Sequence, residues 1–386
     1  MKKTRTAWIL IGVVLAWWVP FLEGESQSLE DLYKTGKIRL VPEVRIADEN
    51  LPDDVYFQMP SGLAVDGQGR FFIVDYNAHH IKTFDSKGTF SGTLGRQGQG
   101  PGEFEGPYRI CLAGDSLIIY ELSARRLSRL RFDGTHEKSA PLEFTEGSLR
   151  SLRGLPDGRL VVEREKSYFW QEDRPQDCRI DIFSKELRPV NKLEEAPIRR
   201  NSYITKPVRT NVPQPFYNDV IWDTTPEGKV VVGLSGTYEI CLYDPDNGKI
   251  KSFSHDFEPV KVTKKDKDSW FAGMTYSSSD GQRKEGAADF VVKNTNFPRT
   301  KPAFHSLLVD PEGNILVFTH SEDKVNDTTY FDAFDPDGRF INRVEIVGEN
   351  PINYTTIRAG NGFASIITGE DQLYRIILYK IAGGSD

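Results

Sequence analysis

Short apolar runs alternate along this chain with clusters of Asp, Asn, Pro and Gly, and one phrase recurs. A turn carrying an acidic or amide residue and Gly leads into a run rich in β-branched or aromatic residues. It reads VDGQGRFFIVD (Val65–Asp75), AGDSLIIYE (Ala113–Glu121), LPDGRLVVE (Leu155–Glu163), TPEGKVVVG (Thr225–Gly233), DPEGNILVF (Asp310–Phe318) and AGNGFASII (Ala359–Ile367), six copies in all. A second phrase follows each copy, and in the first five it reads strand, hairpin turn, strand, as in HIKTFDSKGTFSGTL (His80–Leu94) or YFDAFDPDGRFINRVEI (Tyr330–Ile346). Asp-Pro-Asp-Gly supplies the fixed φ of Pro and the positive φ of Gly that such turns need. Each unit therefore predicts four antiparallel strands, a to d, and six units predict an all-β six-bladed propeller. The sixth copy ends after its third strand, at Ile381. KIRLVPEVRIA (Lys37–Ala47) alternates apolar with polar residues and is expected to close the ring as the outer strand of the last blade.

The first 26 residues read as a signal peptide. Lys2, Lys3 and Arg5 precede the apolar run Trp8–Leu22, and Gly24 and Ser26 suit cleavage. The run has 15 residues, short of the roughly 20 that span a bilayer; a retained anchor is the alternative. No Cys follows the run, which excludes a lipoprotein anchor. Residues 27–386 are then one exported domain, periplasmic or extracellular, expected to be a monomer. With 49 Lys+Arg against 56 Asp+Glu the chain is mildly acidic. It carries no basic stripe for nucleic acid and no polybasic membrane patch. Cys111, Cys178 and Cys241 lie far apart inside apolar runs and read as small buried residues rather than a disulfide framework.

LGRQGQGPGEFEGP (Leu94–Pro107) invites a phosphate-loop reading, but no helix follows it, and it links strand d of one unit to strand a of the next. Together with the stretch before it, Met59–Pro107 resembles an NHL repeat: Pro-x-Gly-hydrophobic, then Val-x-Asp, then Asn77, His79, His80 and Ile81 near the Asn-His-Arg-Ile positions, then the Gly-rich end. Ala78 is inserted, and His80 stands where Arg is usual. The other five units keep the rhythm and lose the letters. The whole chain resembles exported bacterial six-bladed propellers related to NHL repeats. That resemblance implies a fold hosting binding proteins, lyases and lactonases alike.

Two d-to-a connections are long, 194–220 and 255–304, with helical turns expected around Lys264–Met274 and Glu285–Asn294. They are expected on the face that also carries the b-to-c connections, beside or over the channel. Long loops on a rigid scaffold favour sites. Both end alike, in QPFYNDV and KPAFHSLL, which brings Tyr217, Asn218 and His305 to the start of strand a. Arg109 and Arg150 hold comparable positions in blades 2 and 3. The ends of strand b carry Asp75, Glu121, Glu163 and His320. Asp75, His79 and His80 read as structural, and His136 and His255 as solvated. Trp222, Trp270, Tyr203, Tyr217 and Tyr276 crowd the insertion face, suiting carbohydrate or protein contacts or pinning the loops down.

Two functions follow. One is a non-catalytic scaffold binding a protein, peptide or glycan on this face, with Arg109, Arg150, Tyr217, Asn218, His305 and His320 as ligand contacts. The other is a metal-dependent lyase or lactone hydrolase at the channel mouth. Glu121 and Glu163, with Asn218 and His305, would hold calcium, magnesium or zinc, and His320 would be a base. No nucleophile motif such as Gly-x-Ser-x-Gly is present.

Overall fold

The computed structural model describes residues 27–386 except 48, 50, 53–54, 143–147, 167–175, 199–200, 205–209, 278–282, 321–328, 354, 370 and 385–386. The expected signal segment, 1–26, lies outside the described residues.

Six four-stranded antiparallel units follow one another. Blade 1 runs Pro60–Val65, Phe71–Asp75, His80–Phe84 and Phe90–Leu94; blade 2 runs Pro107–Ala113, Ser116–Glu121, Arg126–Arg131 and His136–Pro141. Blade 3 runs Ser148–Gly154, Leu160–Lys166, Gln176–Phe183 and Pro189–Ile198; blade 4 runs Val220–Thr224, Val230–Leu234, Glu239–Asp244 and Gly248–Ser254. Blade 5 runs Phe304–Val309, Ile315–Thr319, Thr329–Phe334 and Phe340–Ile346; blade 6 runs Ile357–Ala359, Gly362–Thr368 and Tyr374–Gly383. Its fourth strand is Lys37–Ala47, paired antiparallel with Tyr374–Gly383 from Ile38 opposite Gly383 to Ala47 opposite Arg375. The closure read from the sequence is therefore present. Lys37 and Ile38 also pair in parallel with Glu345 and Ile346, joining blades 5 and 6 at the seam.

Each blade is sandwiched between two others, so its inner strands bury both faces. Pro60–Val65 and Phe71–Asp75 are buried at every residue, while Phe90–Leu94 alternates half-buried and exposed. The apolar core is consequently six clusters, one at each blade–blade junction. All three cysteines are buried in these blades and unbridged. Blades meet closely enough that a Cβ on Gly154 would fall 1.5 Å from the Leu112 carbonyl oxygen.

The Gly-rich connector is a packing device. Gly95 has φ +79°, and a Cβ there would stand 2.2 Å from the ring of Phe104. That ring is fully buried in the cluster between blades 1 and 2. Arg96 pairs with Glu103 across the loop at 2.8 Å.

A helix that the repeat pattern did not announce, α1 (Leu29–Lys34), precedes the closing strand. Ser28 caps it by accepting the Asp31 N–H, and Tyr33 packs edge-on against Phe331 at the junction of blades 5 and 6. The first insertion begins later than the sequence suggested, because strand d of blade 3 continues to Ile198; it then forms the pair Asn201–Ile204 and Thr210–Pro213. The second contains α2 (Lys264–Ala272), the pair Thr275–Ser277 and Arg283–Glu285, and α3 (Asp289–Asn294), close to where helical turns were expected.

Candidate functional site

The ends of strand b share one structural task. In blade 1, Asp75 accepts the N–H groups of Gln58 (3.0 Å) and Met59 (2.8 Å), just ahead of strand a. In blade 2, Glu121 accepts the Glu105 N–H at 2.9 Å, and Arg126 Nε and Ser128 Oγ at 2.6 and 2.8 Å. In blade 4, Ser235 Oγ accepts the Asp219 N–H at 2.8 Å. Each side chain latches the incoming connection to its own blade, satisfying backbone donors that burial would otherwise orphan.

This corrects the expectation of a carboxylate rim. Glu121 is fully buried and engaged by three donors, and Glu163 accepts Trp222 Nε1 at 3.1 Å inside the junction of blades 3 and 4. Each carboxylate is committed to partners of its own, Glu121 in blade 2 and Glu163 between blades 3 and 4. Among the described residues no group of three or more His, Cys, Asp or Glu stands close enough to hold a metal ion. Arg109 and Arg150 also lie apart from the site described below. Arg109 donates to the Ser61 carbonyl at 2.8 Å and lies 4.4 Å from the Tyr108 ring centroid, and Arg150 pairs with Glu165 at 3.4 Å.

The histidines divide similarly. His79 sits in the b-to-c turn of blade 1 with φ +56°, and Arg125, Tyr238 and Gln372 take the same left-handed conformation in the b-to-c turns of blades 2, 4 and 6. The NHL-like Asn-His stretch is thus a turn. His80 is half-buried, and burial lowers its pKa. His136 bonds Ser139 at 2.9 Å. His255 is not simply solvated, since its ring stacks on Phe340 at 4.4 Å.

Four of the proposed contacts do come together. Tyr217, Asn218, His305 and His320 line one pocket of about 360 Å³ between blades 4 and 5, with Phe216 and Trp270 as further walls. The rings of His305 and His320 lie 4.9 Å apart. Phe216 is the central element. Its ring centroid is 6.1 Å from His320, 6.4 Å from Phe297 and 6.5 Å from Trp270. Its backbone has φ +57°, a conformation that bulky residues rarely adopt. The Trp270 indole N–H is buried and has no hydrogen-bond partner among the described residues. Nothing is described for the side chains of Tyr203 and Tyr276.

The second insertion is clamped over this pocket. Lys301 is buried and bonds Asp266 at 2.8 Å, and its ammonium lies 5.4 Å from the Phe216 ring centroid. Asp266 also completes a capping box with Thr263 at the start of α2. Burial pushes the Asp266 carboxyl up, but the bonds from Lys301 and Thr263 outweigh it and hold the group below its ordinary range. Phe216, Lys301 and Asp266 were not singled out in the sequence. Thr-Lys-Lys-Asp (Thr263–Asp266) is the one local signal that could have found a member of this set.

Residues 51–173 match a sequence family described as a 6-bladed beta-propeller. A solved structure of a DUF4221-family member from Bacteroides vulgatus shares the fold at 12% identity and a TM-score of 0.51, over 90% of this chain and 99% of that one. The chain is a six-bladed β-propeller. The propeller also aligns with virginiamycin B lyase of Staphylococcus aureus at 12% identity and TM-score 0.41, over 89% of this chain and 99% of the lyase. A calcium-binding protein, regucalcin, from Agrobacterium tumefaciens aligns at 10% and 0.40, over 91% of this chain and 97% of that one. At these identities the likeness is one of fold. No curated protein matches the propeller in sequence. Among its described residues no helix is long and apolar enough to cross a membrane.

Proposed function

We propose that this chain is an exported, NHL-like propeller that binds a protein, peptide or glycan ligand in the pocket between blades 4 and 5, without catalysing a reaction on it. The observation that carries this reading is Phe216. A left-handed bulky residue costs of order 1–3 kcal/mol and persists where its surroundings over-determine it, often at ligand clamps. Here the backbone turns the ring into a pocket whose other walls are Trp270, Tyr217 and two imidazoles. Apolar walls with a few polar groups suit recognition of a ligand's face and edge together. Asn218, His305 and His320 would supply the polar contacts.

The test is a titration of residues 27–386 with oligosaccharide and peptide arrays, followed by tryptophan fluorescence and calorimetry. Ligands that bind should lose at least about tenfold in affinity on Phe216→Gly or His305→Ala, the scale expected of an anchor in a desolvated pocket. Unchanged affinity in both variants would remove the pocket from the reading. Turnover of lactones, glycans or cyclic peptides at useful rates would replace binding by catalysis.

A further inference from the structure

The central channel holds a second cavity, of about 280 Å³, at the end opposite the insertions. Inner strands of five blades and several a-to-b turns make its wall, and much of that wall is apolar side chain and main chain. The charged side chains lining it are Arg153, Asp223 and Arg358. Asp223 is already occupied. Its Oδ1 meets Arg153 Nε at 3.2 Å, and its Oδ2 accepts the Val309 N–H at 3.0 Å. Arg358 reaches main-chain oxygens instead, donating from Nη1 to the carbonyls of Thr224 (2.5 Å) and Val309 (3.5 Å). Among the described residues no carboxylate pairs with it.

The cavity therefore carries one uncompensated positive charge inside a chain of net charge −7. A guanidinium held by one nitrogen to backbone carbonyls, with the rest of its fork uncommitted, is prepared for bidentate contact with a carboxylate or phosphate. Low-dielectric walls concentrate its field within the channel. Arg153 and Arg358 are tied to the successive residues Asp223 and Thr224, so two guanidinium groups flank the same point of the wall.

We propose that this end of the channel is a binding site for a small oxyanion, a carboxylate- or phosphate-bearing molecule, with Arg358 as its charge partner and Arg153 beside it. The site is separate from the pocket between blades 4 and 5 and does not depend on its assignment.

The experiment follows thermal melting of residues 27–386 in rising inorganic phosphate and, in a second arm, citrate, each against sodium chloride at equal ionic strength. Calorimetry of the unmodified protein with both anions accompanies it. A bound anion raises Tm with the logarithm of its concentration once that exceeds Kd, whereas general salt exclusion raises it roughly in proportion to concentration. The anion with the lower calorimetric Kd identifies phosphate or carboxylate as the better chemistry. Arg358→Gln removes the charge while keeping a polar side chain. It should weaken the anion at least about tenfold, the scale of one charge-assisted hydrogen bond. His305→Ala should leave the effect intact. Melting in both anions that tracks chloride, with no saturable heat, would overturn the proposal even if Arg358→Gln failed to fold. So would an Arg358→Gln protein that responds as the unmodified one does.

Discussion

Asp75 and Lys82 form an ion pair of 2.5 Å sealed within blade 1, their side chains 0% and 4% exposed. Asp75 carries more than the pair, because it also holds the Gln58 and Met59 N–H groups. Lys82→Met leaves a buried carboxylate with two donors. Asp75→Ala leaves a buried ammonium and two orphaned N–H groups. Breaking a buried pair costs about 3–5 kcal/mol, and each orphaned donor adds about 1–3 kcal/mol. Urea unfolding should therefore rank Asp75→Ala as more damaging than Lys82→Met. Equal losses would mean the backbone latch contributes little.

The ring closes through a strand borrowed from the other end of the chain, and this makes its stability depend on residues far from the repeats. Ile38 and Leu40 join the core between blades 5 and 6, while Ile46 joins that between blades 6 and 1. Deleting residues 27–50 removes both sets and bares the edge of Tyr374–Gly383. The cooperative melting transition is expected to disappear. A truncated protein that melted as the full one does would show that the strand decorates the ring without closing it.

Much of this was legible before any coordinates. Gly-containing turns and β-branched runs report local geometry directly, so Val65–Asp75 and its five echoes marked the blades, and the unfinished unit ending at Ile381 pointed to Lys37–Ala47. The site was legible only in part. Tyr217, Asn218 and His305 stand where insertions meet strand a, and position in the repeat placed them. Glu121 and Glu163 occupy equally regular positions, yet their partners Arg126, Ser128 and Trp222 decide whether a carboxylate faces a channel or latches a backbone. No local pattern encodes that difference. Phe216 escaped because its left-handed backbone is imposed by its surroundings, and Lys301 because its partner lies 35 residues away.

Alkaline pH should expose the buried tyrosines. Tyr238 donates to Asp332, and burial, reinforced by that carboxylate's charge, raises its pKa far above 10.0. Tyr33 is raised likewise, by burial first and then by Asp310. A phenol with a raised folded pKa favours the neutral form in the native state. Its contribution is complete below the unfolded value near 10.0 and is lost as pH rises past it toward the folded value. The urea midpoint should therefore stay level up to about pH 10 and fall beyond it. Tyr238→Phe should start less stable, having lost a buried bond to Asp332, and decline less steeply. A parallel decline would mean that Tyr238 is not among the groups responsible.

The clamp between Asp266 and Lys301 gives the pocket its own weak point. Asp266→Ala removes the α2 capping box and leaves Lys301 buried without this partner, yet it touches none of the six blade junctions. Damage should accordingly stay local. Limited proteolysis is expected to cut within 255–304 much faster than in the unmodified protein, while the melting of the propeller shifts little. Because Lys301 lies over the ring of Phe216 and Trp270 sits on α2, loss of the clamp should also weaken any ligand of the pocket. The pH dependence has a definite sign. The Asp266 carboxyl is held below its ordinary 3.8, so the clamp's contribution is present above that value and lost as pH falls beneath it toward the folded value. Protease resistance of 255–304 should then persist at pH 5 and vanish only in stronger acid, on the order of pH 3 or lower. Loss already at pH 5 to 6 would mean that the Asp266–Lys301 pair does not set the acid limit of the clamp.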